Sequence, residues 1–181
     1  MRPILLLHGA LGSQSQLHPL KSMLVAQGRQ VYSTNFSGHS GEPFATTFGI
    51  ETFSEDVFRF LQENKIEKTD IFGYSMGGYV ALWLAHTHPD CVGEIATLGT
   101  KFDWSRESAA KEVKKLDPDK IAEKVPAFAR ILQHRHAPHD WRALLRQTSN
   151  MMTELGNEPL LTAEILRTIP HLTSILLGDQ D

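Results

Sequence analysis

Cysteine is almost missing from this 181-residue chain: Cys91 is the only one, so no internal disulfide can form. A reducing compartment is the simpler setting, and a cytoplasmic location is the expectation. A surplus of one charge is missing too. Lys and Arg number 18 against 21 Asp and Glu, for a net charge of -3 and a pI near 6.3, and no basic run occurs. That balance argues against nucleic acid or an anionic membrane as a partner. No apolar run is long enough to span a bilayer. Met1-Arg2 leads into a short apolar stretch, but the stretch is too brief for a signal peptide and breaks at His8-Gly9. Internal repeats and low-complexity segments are absent. The rest is an ordinary composition, 41% hydrophobic and 22% charged, in a chain long enough for one domain with a substantial core.

Strand and helix alternate through the first half. The continuous apolar run Ile4–Leu7 fits a strand buried on both faces. Leu17, Leu20 and Leu24 trace a helical face that ends at Gly28, and a strand comes next around Gln30–Thr34. Thr46–Ile50 reads as loop. Thr52-x-x-Glu55 has the form of a capping box, opening a helix with Phe53, Val57, Phe60 and Leu61 on one face. A short strand leads into Ser75, a helix runs from Met76 to His88 and stops at Pro89, and Glu94–Leu98 is another strand. Such alternation predicts an α/β fold: a mostly parallel sheet with helices on both faces. Ligands then bind beyond the carboxyl ends of the strands.

The centre of interest is Gly73-Tyr74-Ser75-Met76-Gly77, a G-x-S-x-G pattern between that strand and that helix. A serine on a very tight strand-to-helix turn has its hydroxyl thrust out at the strand's end, and glycines two residues either side avoid a collision. The helix beginning at Met76 aims free N–H groups and its positive dipole end at negative charge forming beside Ser75. The bland alternative is a glycine-rich turn with a surface serine; the strand before and helix after favour the first reading.

From Thr100 to Ile169 the pattern changes to helix alone. Asp117-Pro118 forms an N-cap and N1 pair, and Pro126 divides the next stretch into two helices. A longer helix carries Trp141, Leu144, Leu145, Thr148, Met152 and Leu155 on one face, with Gly156 as its C-cap. Most of that stripe is expected to be ordinary core contact. His134, His136 and His139 sit around a proline in a polar turn, where surface exposure outweighs metal binding as the expectation. Leu172–Leu177 is a further strand.

Four motifs in order carry a resemblance to the α/β-hydrolase superfamily. His8-Gly9-Ala10-Leu11-Gly12 resembles its HG-x-x-G oxyanion loop, and Gly73–Gly77 resembles its nucleophile turn. Asn35-Phe36-Ser37-Gly38-His39-Ser40 is similar to its D-x-P-G-x-G loop, departing at Asn35, Ser37 and Ser40. Leu177-Gly178-Asp179-Gln180-Asp181 is similar to its G-x-x-D acid loop. The resemblance implies a serine hydrolase of ester or related acyl bonds, with Ser75 as nucleophile and the N–H groups of Ala10 and Met76 as the oxyanion hole. His8, Gly9 and Leu11 shape that loop, His8 ordering backbone rather than moving protons. Asp181 is the implied acid, with Asp103 as backup. Serine in place of aspartate argues against dehalogenase or epoxide hydrolase chemistry. Acyltransferases, perhydrolases and C–C bond hydrolases share the constellation, and a non-catalytic ligand-binding member is the reading from another class. The implied organisation is residues 1–100 as the first part of the core, 101–169 as an inserted helical cap, and 170–181 as a core strand and acid loop. No cofactor or metal is implied. The substrate is expected to be a small, mostly apolar ester-like molecule, with Phe36, Phe128, Trp141, Met151 and Met152 as candidate lining residues.

One element of that constellation is lacking. The family's catalytic histidine comes after a strand beyond the acid loop, and none of the nine histidines here, at 8, 18, 39, 86, 88, 134, 136, 139 and 171, matches it. The expectation is therefore a hydrolase chain lacking its C-terminal piece, impaired without its base. Its strand Leu172–Leu177 would be an exposed edge that recruits a second copy or a separate fragment.

Overall fold

The computed structural model describes residues 1–178, and Asp179, Gln180 and Asp181 lie outside the described residues. Five parallel strands form one sheet in the order β2-β1-β3-β4-β5: β1 (Ile4–Leu7), β2 (Val31–Ser33), β3 (Thr69–Tyr74), β4 (Val92–Leu98) and β5 (Thr173–Leu176). The strand order fixes where a ligand belongs. From β1 the chain moves outward to β2, then crosses back to lay β3 on the other side of β1, with Leu7 opposite Gly73. The order reverses between β1 and β3, the point at which open α/β sheets bind their ligands.

Residue alternation divides the core between the two sheet faces. Leu5, Leu7, Ile71 and Ile95 join a buried cluster with α2 (Ile50–Glu63) and α3 (Met76–Thr87), through Phe53, Val57, Val80 and Leu84. Leu6 points the other way, with Leu17 and Val31, against Leu20 and Leu24 of α1 (His18–Ala26). Both faces of β1 are thus buried, which is why its residues read as an unbroken apolar run. Helix α2 begins earlier than the Thr52 box predicts. Gly49 is the N-cap and its carbonyl accepts from Phe53 N at 3.0 Å, while Thr52 Oγ1 pairs with Thr47 Oγ1 at 2.8 Å. Tertiary burial of Ile50 outweighs the local capping signal.

Between β4 and β5 the chain is helical: α4 (Arg106–Val113), α5 (Pro118–Lys124), α6 (Pro126–His136), α7 (Trp141–Asn157) and α8 (Ala163–Thr168). Asp117 caps α5 through Asp119 N and Lys120 N, with Pro118 in its first turn, as the sequence implies. This block has a core of its own, Ile121, Leu132, Trp141, Leu144 and Leu145, completed by Leu11 from the loop after β1. Helix α7 serves both bodies, since Met151 and Leu155 belong to the main cluster. Gly156 is not a C-cap. It lies inside α7, buried, where an added Cβ would meet Ala109 of α4 and stand 2.9 Å from Ser105 O. Its missing side chain lets the two helices cross closely. No helix among the described residues is long and apolar enough to cross a membrane. Strand β5 closes the order of the sheet with Leu172, Ile175, Leu176 and Leu177 exposed.

Gly156→Ala is expected to destabilise the protein by about 1–3 kcal/mol through overpacking, although alanine is the better helix former. Thermal melts set against Asn157→Ala, an exposed neighbour, measure it; equal melting temperatures would remove the close crossing.

Candidate active site

Ser75 stands between β3 and α3 with φ +50° and ψ -117°, a backbone conformation that L residues rarely adopt. Such a conformation costs on the order of 1–3 kcal/mol and persists only where its surroundings over-determine it. Here they do. Ser75 N donates to Leu98 O at 2.8 Å, while Ser75 O accepts from Gly78 N at 3.0 Å and from Thr100 Oγ1 at 2.9 Å. A Cβ at position 73 would strike the backbone of Gly77 and Gly78, and one at 77 would lie 2.5 Å from Leu7 O. Gly78, which the motif does not require, is held against Thr97 and Thr100. Met76 opens α3, so its amide has no acceptor within the helix.

The loop after β1 lies directly alongside, because β1 and β3 are paired. A Cβ on Gly9 would stand 3.2 Å from Ser75 Cβ. Gly12 N closes the turn onto Gly9 O at 3.0 Å, with Leu11 at φ +57°. Between them, Ala10 lines a cleft of ≈ 50 Å³ together with Ser75 and Met76. The remaining walls are apolar, from Ile50, Tyr79, Met151, Met152 and Leu155, plus Trp104 and Lys101 at the end of the β4 loop. Of the expected lining residues, Met151 and Met152 are present. Phe36 is instead fully buried, its ring 4.6 Å from that of His8 and 5.1 Å from that of Phe53. Trp141 belongs to the helical core and Phe128 is exposed.

The histidines do something the sequence did not announce. His8 donates from Nδ1 to Gly9 O at 2.8 Å, and His39 donates from Nδ1 to Ser37 O at 3.1 Å; both rings are buried, 5.1 Å apart. His136, expected at the surface, is wholly buried. Its Nε2 donates to Leu11 O at 3.0 Å, its Nδ1 accepts from Ser40 N at 3.0 Å, and Arg135 Nη1 reaches the same Leu11 carbonyl at 2.7 Å. The helical block thereby grips the loop carrying Ala10. No local signal marks this, since 125 residues separate the partners. Burial depresses all three imidazoles: His8 and His136 to about 4, His39 well below the ordinary value. The nearby positive and titratable groups, Arg135 and His139, push in the same direction.

None of the histidines lines the Ser75 cleft. His86 bonds Thr168 Oγ1, His88 stacks on Phe58 and pairs with Glu55, and His171 reaches Pro89 O. Asp103 sits exposed after β4, its carbonyl accepting from Ser108 Oγ at 2.8 Å. Asp181 lies outside the described residues. Among the described residues no three His, Cys, Asp or Glu side chains converge as a metal ligand set. The arrangement sets a strained serine beside the first turn of α3 and the Gly9–Gly12 turn, in a small, mostly apolar cleft.

Comparison with known proteins identifies the fold. A family model described as alpha/beta hydrolase fold matches residues 2–167. The sn-1-specific diacylglycerol lipase ABHD11 of Danio rerio is 31% identical over 97 residues, 53% of this chain and 31% of that protein. A probable alcohol acetyltransferase of Cyberlindnera fabianii is 36% identical over 90 residues, 49% of this chain and 24% of its own. The match thus spans only about a quarter to a third of these curated relatives. Among solved structures, NosK of Streptomyces actuosus superposes with a TM-score of 0.78 at 21% identity, covering 98% of this chain and 77% of its own. A carboxylesterase from Nitrososphaera gargenis gives 0.74 at 18% identity, covering 98% and 72%. At these identities the structural likeness is one of fold.

The buried histidines set the acid limit of stability. Each is neutral when folded and regains an ordinary value near 6.5 when unfolded, so the unfolded chain binds more protons below that pH. Stability is full above pH 6.5 and falls as pH drops toward 4, by roughly 2 kcal/mol for each of His8 and His136 between pH 7 and 5, with His39 acting in the same direction. Denaturant melts across that window check it; His136→Gln should flatten the slope, and an unchanged slope would remove His136 from the cause.

Proposed function

The chain belongs to the α/β hydrolase family, and on that premise we propose that it is a serine hydrolase of ester or related acyl substrates with Ser75 as nucleophile. The observation that carries the reading is the strained Ser75 backbone, held between the first turn of α3 and the Gly9–Gly12 turn at the point where strand order reverses. In the reaction Ser75 Oγ attacks the substrate carbonyl carbon and gives up its proton. The carbonyl oxygen becomes an oxyanion held by the N–H groups of Ala10 and Met76. Collapse expels the alcohol, which takes a proton, and water then releases the acid from the acyl-serine. The helices from Arg106 to Thr168 act as the cap of this site, over residues 101–169, and His8, Gly9 and Leu11 shape the oxyanion loop beneath it.

The proton acceptor is a histidine that the described residues do not place beside Ser75, oriented by Asp181, or by Asp103 if the acid lies after β4. Neither metal nor organic cofactor enters. The same reading keeps a location in the cytoplasm and pairing of copies through β5, where Ile175 and Leu176 are exposed. Acyl transfer to an alcohol is the second reading. It draws on the alcohol acetyltransferase among the relatives and on a cleft near Ser75 small enough for a short acyl group. Product analysis with ethanol present separates ester synthesis from hydrolysis.

A fluorophosphonate probe should label Ser75 covalently, and Ser75→Ala should abolish the label; equal labelling of both would remove Ser75 from the mechanism. With no histidine lining the cleft among the described residues, labelling is expected to be slow, since a serine hydroxyl with no base beside it stays neutral. Slow is the expectation rather than zero, because the oxyanion hole and binding survive loss of a triad member. A chelator should leave the rate unchanged.

A further inference from the structure

Two side chains of α6 converge on one carbonyl of the loop after β1. His136 Nε2 donates to Leu11 O at 3.0 Å, and Arg135 Nη1 donates to it at 2.7 Å. Leu11 follows Ala10 directly, and its φ of +57° is a conformation that a leucine holds only where its surroundings impose it. The two donors impose it from one side, and burial of the Leu11 side chain in the helical core imposes it from the other. The second ring nitrogen, His136 Nδ1, accepts from Ser40 N at 3.0 Å in the loop after β2. These partners fix the form of the ring. A carbonyl can only accept and an amide N–H can only donate, so the imidazole is neutral with its proton on Nε2.

A second proton has no place on that ring. It would set Nδ1–H against the Ser40 N–H, and its charge would stand beside the Arg135 guanidinium. The titratable and charged groups facing the ring are Arg135 of α6, His139 after α6, His8 after β1, and His39 after β2, whose ring centre is 5.9 Å away. None is a carboxylate, and His136 is wholly buried. A protonated ring therefore leaves its pocket, and the Leu11 carbonyl loses one of its two donors. The clasped imidazole is held down to about 4 by burial and regains an ordinary value near 6.5 once released, so falling pH favours the released form. We propose that His136 is a positioning residue for the oxyanion turn, needed in its neutral form, and that acid reversibly shuts the site at Ser75 by releasing this turn while the sheet stays folded. The proposal rests on the Ala10 N–H serving the reaction of Ser75.

Amide hydrogen exchange of the 181-residue protein reads the turn directly. Gly12 N is bonded to Gly9 O and Ser40 N to His136, while Val80 lies buried inside α3 as the reference for the folded sheet. His136→Gln keeps a donor and an acceptor and does not titrate. Between pH 7 and 5 the protection of Gly12 and Ser40 should fall about tenfold more in the wild type than in His136→Gln. Val80 should remain the better protected at pH 5. Fluorophosphonate labelling of Ser75 should be similar in the two proteins at pH 7. At pH 5 the wild type should label about tenfold more slowly than His136→Gln, as for a displaced oxyanion donor, and recover on return to pH 7. One protection shared by all three amides at pH 5 would make the acid effect global unfolding and overturn the proposal; this arm needs only the wild type. The same pH dependence of labelling in both proteins also overturns it. Acid opening of Gly12 and Ser40 in a protein whose Ser75 never labels keeps the clasp and removes the nucleophile. Labelling that ignores the opening removes the positioning role and leaves the nucleophile.

Discussion

The carboxyl edge of this sheet depends on how closely α3 approaches β1. At position 77 a Cβ would stand 2.5 Å from Leu7 O and 2.7 Å from His8 O, so the start of α3 is seated directly on the end of β1. Only with that approach does Gly9 come within van der Waals reach of Ser75. The strain at Ser75 is the consequence. A chain leaving β3 and entering a helix within one residue has no relaxed conformation open to it, and the bonds to Leu98, Gly78 and Thr100 hold it there.

The second constraint is that the loop after β1 is not self-supporting. Leu11 has a positive φ, its side chain is buried in the helical core, and its carbonyl takes donors from both Arg135 and His136. Removing the helical block would expose Leu11 and leave that carbonyl without its partners, so the block supports the loop carrying Ala10 as well as walling the cleft. Because His136 also accepts from Ser40, one neutral imidazole joins three segments far apart in sequence. Neutrality is essential to this, since a protonated ring has no lone pair for the Ser40 amide. Burial, with the charge of Arg135 and the ring of His139 nearby, favours that neutral form.

Much of this was legible residue by residue. The run Ile4–Leu7 is a strand because both of its faces are buried, and Gly73-x-Ser75-x-Gly77 is a tight turn because no other residue type fits its ends. Asp117-Pro118 and Pro126 punctuate helices where local chemistry says they should. Local signals failed where a distant surface decided. The Thr52 capping box lost to burial of Ile50, and Gly156 serves a helix crossing rather than a helix end. Phe36, Phe128 and Trp141 are apolar enough to line a pocket, but hydrophobicity carries no information about which apolar surface a side chain meets.

By itself, the sequence determined the element types, the parallel α/β architecture and the position of the serine turn, because each is set by contacts within a few residues or by periodic burial. Tertiary structure alone decided which side chains surround that serine. Lys101 and Trp104 reach the cleft because β4 neighbours β3, Met151 and Met152 because α7 spans two cores, and His136 its place because α6 folds back over the loop after β1. These neighbours are brought together by strand order and helix packing, and pairwise proximity across such distances leaves no periodicity or motif in the chain.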